Sequence, residues 1–304
     1  MAASSDPALL APPALETRLL ARMCAGAYIG EMGHFWREVD PALRSFGFES
    51  APGSVTALGS PPLYEGFVIR CWHIGQPDGP MTAVVVVRGT RTAAEGLANL
   101  NALRVRMPGK GRSGCCGMPW AHAGFSGMWR PVAVQIRDEL LATGGGRWIF
   151  TGCSRGGAMA ALAAADAGGG ELRDRIGDDA PVPILECVTF CAPRPGGAGL
   201  ARLLGSSCPD RCERWVVGTD LVPHVPPAIL GFHHGGRCRY VKALRPGVEA
   251  EDATAVGFAG TVSWWIATGA APSLGRRPCD DHNIDCLVSW FDSEGKAGRT
   301  PWAA

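Results

Sequence analysis

Ser154 is the residue around which a reaction can be built. It stands in Gly152-Cys153-Ser154-Arg155-Gly156, a Gly-x-Ser-x-Gly pentapeptide. The apolar run Arg147–Thr151 precedes it and the small-residue stretch Ala158–Asp166 follows. Strand, tight turn and helix in that order form the setting that lifts a serine into a strained, exposed position as a nucleophile. Strand and helix must approach closely there, so tiny residues are expected at Gly152 and Gly156. A serine hydroxyl is a weak nucleophile at neutral pH. It needs a base, normally imidazole, and the base needs a carboxylate to hold its tautomer. With this turn the chain order is serine, acid, histidine. Asp220 follows the apolar run Arg214–Val217 and is the candidate acid, and His282, in Cys279-Asp280-Asp281-His282, is the candidate base. His224, His233 and His234 are alternative bases. They fall only a few residues past Asp220, so a packing or hydrogen-bonding place beneath the site is expected for each. Asp280 and Asp281 are expected to be solvated or capping.

These side chains can meet only if the chain folds into alternating strands and helices. A helical pattern runs from about Leu15 to Ile29, with Leu19, Leu20, Met23 and Cys24 near the helical period. Residues 40–62 read as loop. Strands are expected at Phe67–Ile74, Thr82–Val87, Arg147–Thr151, Ile184–Cys191, Arg214–Val217 and Arg237–Val241. The β-branched run Thr82–Val87 marks a strand buried on both faces. Helices are expected at Thr92–Leu103, Trp129–Ala142, Arg155–Ala167 and about Asp281–Phe291, with a Gly/Cys-rich loop at 107–120. Strands alternating with helices predict an α/β fold with a mostly parallel sheet. The 304 residues suit one domain, 1–304, with residues 1–14 as a flexible leader.

Composition narrows the functional classes. Hydrophobic residues make up 46% of the chain, enough for a large core and too many for general disorder. The formal net charge is +1, which argues against a basic nucleic-acid footprint. A chain this long does not need its 12 cysteines as a disulfide framework. Neither Cys115-Cys116 nor Cys208-x3-Cys212 matches a zinc-ligand spacing, so no metal is expected. Ala253–Gly275 carries no charge and includes Trp264 and Trp265. Its glycines and hydroxyl residues argue against a membrane span, so it reads as buried, or as an apolar surface that touches lipid. The N-terminus has no basic segment followed by an apolar one, so a cytoplasmic location is expected, with peripheral contact at lipid surfaces.

From about Leu15 to Phe291 the sequence resembles the fungal-type class 3 lipases of the α/β-hydrolase superfamily. The resemblance is carried by Val84–Thr90, by Ala121-His122-Ala123-Gly124-Phe125, by the serine pentapeptide and by Thr189–Gly196. Asp220–Pro227, Gly231–Gly236 and Asp281-His282 follow in the same order. It implies an α/β-hydrolase fold with a mostly parallel central sheet flanked by helices, and a triad of Ser154, Asp220 and His282. It also implies an oxyanion hole from the backbone N–H groups of Thr90 and Arg155, and a lid helix at about 91–103 over an apolar groove. Cys153 and Arg155 stand where this family usually has His and Leu, Asn99 where its lids commonly carry Asp, and Asp285 where an aromatic is frequent. A charged Arg155 side chain at an acyl site would favour an anionic or polar head group.

The expected activity is serine carboxylic-ester hydrolysis, with an acylglycerol or related lipid ester, or a small-molecule ester, as substrate and no cofactor. A short-chain esterase and a catalytically silent lipase-like binding module are the alternatives. Nothing in the sequence supports a nucleic-acid partner.

Overall fold

The run Thr82–Val87 is buried at every position, with Val84 and Val86 in the core on one face of a sheet and Ala83, Val85 and Val87 in the core on the other. A strand with no polar side must lie in the middle of a layered fold. The computed structural model describes residues 16–28, 31–50, 53–60, 64–90, 101–107, 119–143, 146–169, 174, 183–218, 220–241, 250–253 and 282–296. Its strands are β1 (Phe48–Glu49), β2 (Val55–Leu58), β3 (Gly66–His73), β4 (Thr82–Val87), β5 (Arg104–Arg106), β6 (Trp120–His122), β7 (Arg147–Cys153), β8 (Ile184–Phe190), β9 (Gly196–Gly197), β10 (Arg211–Val217), β11 (Phe232–His233), β12 (Arg237–Val241) and β13 (Ala250–Ala253). Its α-helices are α1 (Thr17–Ala27), α2 (Met32–Ser45), α3 (Ala123–Ala142), α4 (Arg155–Gly169), α5 (Ala198–Ser207) and α6 (Ile284–Lys296).

Strands β4, β7, β8, β10 and β12 lie side by side and parallel. Strands β1, β2 and β3 add antiparallel pairings at one edge and β13 at the other. A small antiparallel sheet, β11-β9-β6-β5, stands apart. Helices α1, α2 and α6 contribute to the core on one face of the main sheet, and α3, α4 and α5 to the core on the other. The expected α/β arrangement is therefore present. In such a sheet the loops beyond the carboxyl ends of the parallel strands hold the site. Thr90, Ser154 and Asp220 all follow such ends.

Several expectations are corrected. Residues 40–62 are not simply loop: α2 reaches Ser45, and β1 and β2 follow. Phe35, Val39, Ala42 and Leu43 form a buried stripe at helical spacing, which outweighs Pro41 inside the helix. The helix expected at Trp129 starts at Ala123. Gly124 and Gly127 weaken its first turns on propensity. His122 compensates by accepting the Phe125 N–H at its Nδ1 and stacking on the Phe125 ring at 4.1 Å. Residues 101–103 are not helical, and Leu103 is exposed. The leader at 1–14, the rest of the proposed lid at 91–100 with Asn99, Cys115-Cys116, and 254–281 with Trp264, Trp265, Asp280 and Asp281 lie outside the described residues. Among the described residues no helix is long and apolar enough to cross a membrane. Cys208 and Cys212 are free thiols.

Candidate active site

Ser154 links β7 to α4 with φ +57°, in the left-handed region that non-glycine residues seldom occupy. Its N–H donates to the Phe190 carbonyl of β8 at 2.9 Å, which fixes the turn on the sheet. The glycines around it are steric necessities. A Cβ at Gly152 would strike the Gly156 backbone, and one at Gly156 would strike the Val87 carbonyl. Gly157, which the spacing did not single out, is equally tight: its Cβ would come within 2.6 Å of Ala192 Cβ. The adjacent Gly156-Gly157 pair was the available signal.

The structure brings Ser154, His282 and Asp220 together across 128 and 62 residues of chain. His282 Nε2 lies 2.8 Å from Ser154 Oγ, and Nδ1 lies 2.8 Å from Asp220 Oδ2. The other carboxylate oxygen, Oδ1, accepts the Val222 N–H at 2.9 Å. Asp220 is thus held at both oxygens, and it is almost fully buried. These partners assign the neutral imidazole proton to Nδ1, which donates to the carboxylate and leaves Nε2 to accept from the serine hydroxyl. Such a chain can take a proton from Oγ as the oxygen attacks.

The other histidines are placed differently. His234 donates from Nε2 to the Pro223 carbonyl at 2.7 Å, and burial holds its pKa well below the ordinary value. His224 is buried in a short 3-10 turn, Val222–His224. Burial, helped by the Arg194 charge, lowers its pKa to about 4. His233 is exposed, so the expected place beneath the site does not hold for it. Buried neutral His224 makes a pH-dependent contribution to stability. The unfolded chain binds this proton near pH 6.5 and the folded chain only near pH 4. Stability from this group is therefore full above about pH 6.5 and falls as the pH drops through that window, by about 3 kcal/mol at most. Between pH 7 and pH 4.5, His224→Gln is expected to lose less urea-unfolding free energy than wild type. Parallel losses would remove the claim.

Thr90 stands two residues past Arg88, at the end of β4 beside the serine turn, and Arg155 opens α4 directly after Ser154. Thr90 and Arg155 are the residues that the resemblance names as oxyanion donors. A helix's first N–H groups have no intrahelical acceptor, which suits the Arg155 end of α4 to developing negative charge. The Arg155 side chain corrects the head-group expectation. Its guanidinium is fully buried and points away into an ion pair with Glu65 at 2.8 Å. It also donates to the Gly89 carbonyl at 3.1 Å and contacts Met128 Sδ at 3.0 Å. Arg88 shares Glu65 at 3.6 Å and donates from Nε to the Tyr64 carbonyl at 2.7 Å. The two arginines and Glu65 thus brace the backbone just before Thr90. Tyr28 fills the space a Cβ at Gly89 would need. Nothing in the spacing of Tyr28 or Glu65 marked them in the sequence, because their roles exist only across the fold.

Residues 84–230 match the family described as Lipase (class 3). A lipase of Rhizopus niveus is 30% identical over 190 residues, covering 60% of this chain and 43% of that protein. A protein of Fusarium solani named secreted mono- and diacylglycerol lipase 1 is 29% identical over 171 residues, covering 53% of this chain and 44% of that one. The chain therefore spans less than half the length of these curated relatives. The solved structure of lipase II from Rhizopus niveus superposes with a TM-score of 0.56 at 22% identity, covering 81% of this chain and 88% of that one. That likeness is one of fold, and the fold is the α/β-hydrolase fold. The Fusarium protein is by its name secreted, which overturns the cytoplasmic expectation. That expectation rested on a missing leader pattern, and a compartment is not encoded in the packing of a folded domain.

Proposed function

We propose, from the premise that this chain belongs to the class 3 lipase family, that it is an extracellular serine hydrolase of acylglycerol or related lipid esters. The observation that carries this reading is the hydrogen-bonded chain from Ser154 through His282 to Asp220. In the proposed reaction Ser154 Oγ attacks the ester carbonyl while His282 Nε2 takes its proton. Asp220 orients and stabilises the imidazolium. The N–H groups of Thr90 and Arg155 receive the negative oxygen of the tetrahedral intermediate, and loss of one such donor costs about 3–4 kcal/mol. His282 then protonates the leaving alcohol, and water activated by the same imidazole cleaves the acyl-enzyme.

An apolar substrate suits the surroundings. Leu103, Leu221, Val225, Ile229 and Leu230 are exposed. Leu221 adjoins Asp220, and the Leu230 carbonyl accepts from Arg104, next to Leu103. A fluorophosphonate probe tests the proposal. It is expected to label the folded protein at Ser154 and to leave Ser154→Ala unlabelled. A folded wild-type protein that takes up no label would overturn the hydrolase reading in favour of a silent binding module.

A further inference from the structure

Cys191 has no part in the proposed hydrolysis, yet it stands against two of its residues. It follows β8 directly, is buried, and its N–H donates to the Trp215 carbonyl at 2.8 Å. Its φ is +51°; among the described residues only Ser154 shares such a backbone without being glycine. A non-glycine residue in this region is held there by its surroundings, and such positions cluster at functional sites. The Cys191 thiol, a carboxylate oxygen of Asp220 and a ring nitrogen of His282 all lie within 4.8 Å of one another. No other group of three potential metal-ligating side chains is that tight among the described residues. Thiolate, carboxylate and imidazole are a ligand set suited to zinc, with Zn–S about 2.3 Å and Zn–N and Zn–O about 2.0–2.2 Å. A tetrahedral ion with those bonds wants its ligand atoms roughly 3.3–3.7 Å apart. Binding would open the Asp220–His282 separation from 2.8 Å and draw in the Cys191 sulfur, which lies within 4.8 Å of both.

We propose that Cys191, Asp220 and His282 form an inhibitory site for a thiophilic divalent cation, with Zn2+ as the reference ion. The inference rests on the hydrolase reading above and deepens it into a means of control. On binding, the Cys191 thiol gives its proton to solvent and its sulfur bonds the ion. One oxygen of Asp220 and Nδ1 of His282 supply two further bonds, and water completes the set. Two anionic ligands balance the ionic charge, so the buried site ends without net charge. The consequence for catalysis follows from the tautomer. Nδ1 must be unprotonated to ligate, so the single proton of the neutral ring moves to Nε2. Nε2 can then no longer accept the Ser154 proton, and the link from imidazole to Asp220 is broken as well.

The test uses the full chain. Co2+ is titrated into wild type, Cys191→Ser and Cys191→Gly while the near-ultraviolet thiolate-to-cobalt charge-transfer band is followed. Zn2+ inhibition of p-nitrophenyl butyrate hydrolysis is measured for each protein relative to its own uninhibited rate. Serine keeps the size of the side chain and glycine relieves the left-handed backbone, and thermal unfolding of each variant separates loss of the sulfur from loss of the fold. The expected result is one equivalent of Co2+ with a thiolate band in wild type and no such band in the variants. The concentration of Zn2+ giving half-inhibition is expected to rise at least tenfold in the variants. A wild-type protein without the band, or variants inhibited by Zn2+ as strongly as wild type, would overturn the site. The band requires no turnover. Its presence in a protein that hydrolyses no ester would refute the hydrolase reading alone, and its absence in an active enzyme would refute the metal site alone.

Discussion

Ser154→Ala is expected to lower kcat/KM for p-nitrophenyl butyrate and p-nitrophenyl palmitate by about 10^5-fold or more. The alanine removes one oxygen, the atom that lies 2.8 Å from His282 Nε2. The turn, its glycines and the hydrogen bond from residue 154 to Phe190 need nothing from that oxygen. Stability should therefore stay within about 1 kcal/mol of wild type, and thermal unfolding checks it. Losses of this size arise because the nucleophile and its base act as a unit, so that removing either forfeits the covalent route altogether. A residual rate well above the uncatalysed one is still expected, from the oxyanion donors and substrate binding. Steady-state kinetics on both esters supplies the measurement. A variant as active as wild type would sink the assignment of Ser154. In wild type, the butyrate-to-palmitate ratio separates a short-chain esterase from an enzyme that works on long acyl chains at an interface.

Asp220→Asn is expected to cost on the order of 10^4-fold in kcat, with little change in the fold. Asp220 uses both oxygens: Oδ1 accepts the Val222 N–H and Oδ2 faces His282 Nδ1. An asparagine can keep only one of these as acceptor. If its oxygen stays on Val222 N–H, its NH2 group faces Nδ1. The ring must then accept at Nδ1 and carry its proton on Nε2, the wrong form for taking a proton from Ser154. Asp220→Ala leaves Nδ1 without a partner and serves as the comparison. Stopped-flow acylation rates for both variants check the argument. An asparagine variant within tenfold of wild type would mean that Asp220 does not set the imidazole tautomer.

Much of the site could be read from the chain because its first requirement is local. The steric demand at Ser154 falls within five residues, so Gly152, Gly156 and the strand and helix on either side announced it. Strands buried on both faces were also legible, since Thr82–Val87 has no polar side to expose. The segment Met32–Ser45 was harder. Pro41 and Gly33 weaken a helix on propensity, and only burial of Phe35, Val39 and Leu43 against the sheet makes it one. Compartment was misread because it was argued from an absence.

By itself the sequence determined the α/β alternation, the position of the serine turn and the short set of residues able to serve it, since these follow from hydrophobic period, glycine spacing and side-chain chemistry. It left four histidines as possible bases, and only the tertiary structure decided among them: His282 comes within 2.8 Å of both Ser154 and Asp220. It also decided that Arg155 turns its charge into Glu65 rather than toward an acyl chain, and that Cys191 faces the Asp220–His282 pair. The reason is physical. Local geometry is written in neighbouring residues, whereas a hydrogen bond across 128 positions depends on which strands lie side by side, and that is settled by the packing of the whole sheet.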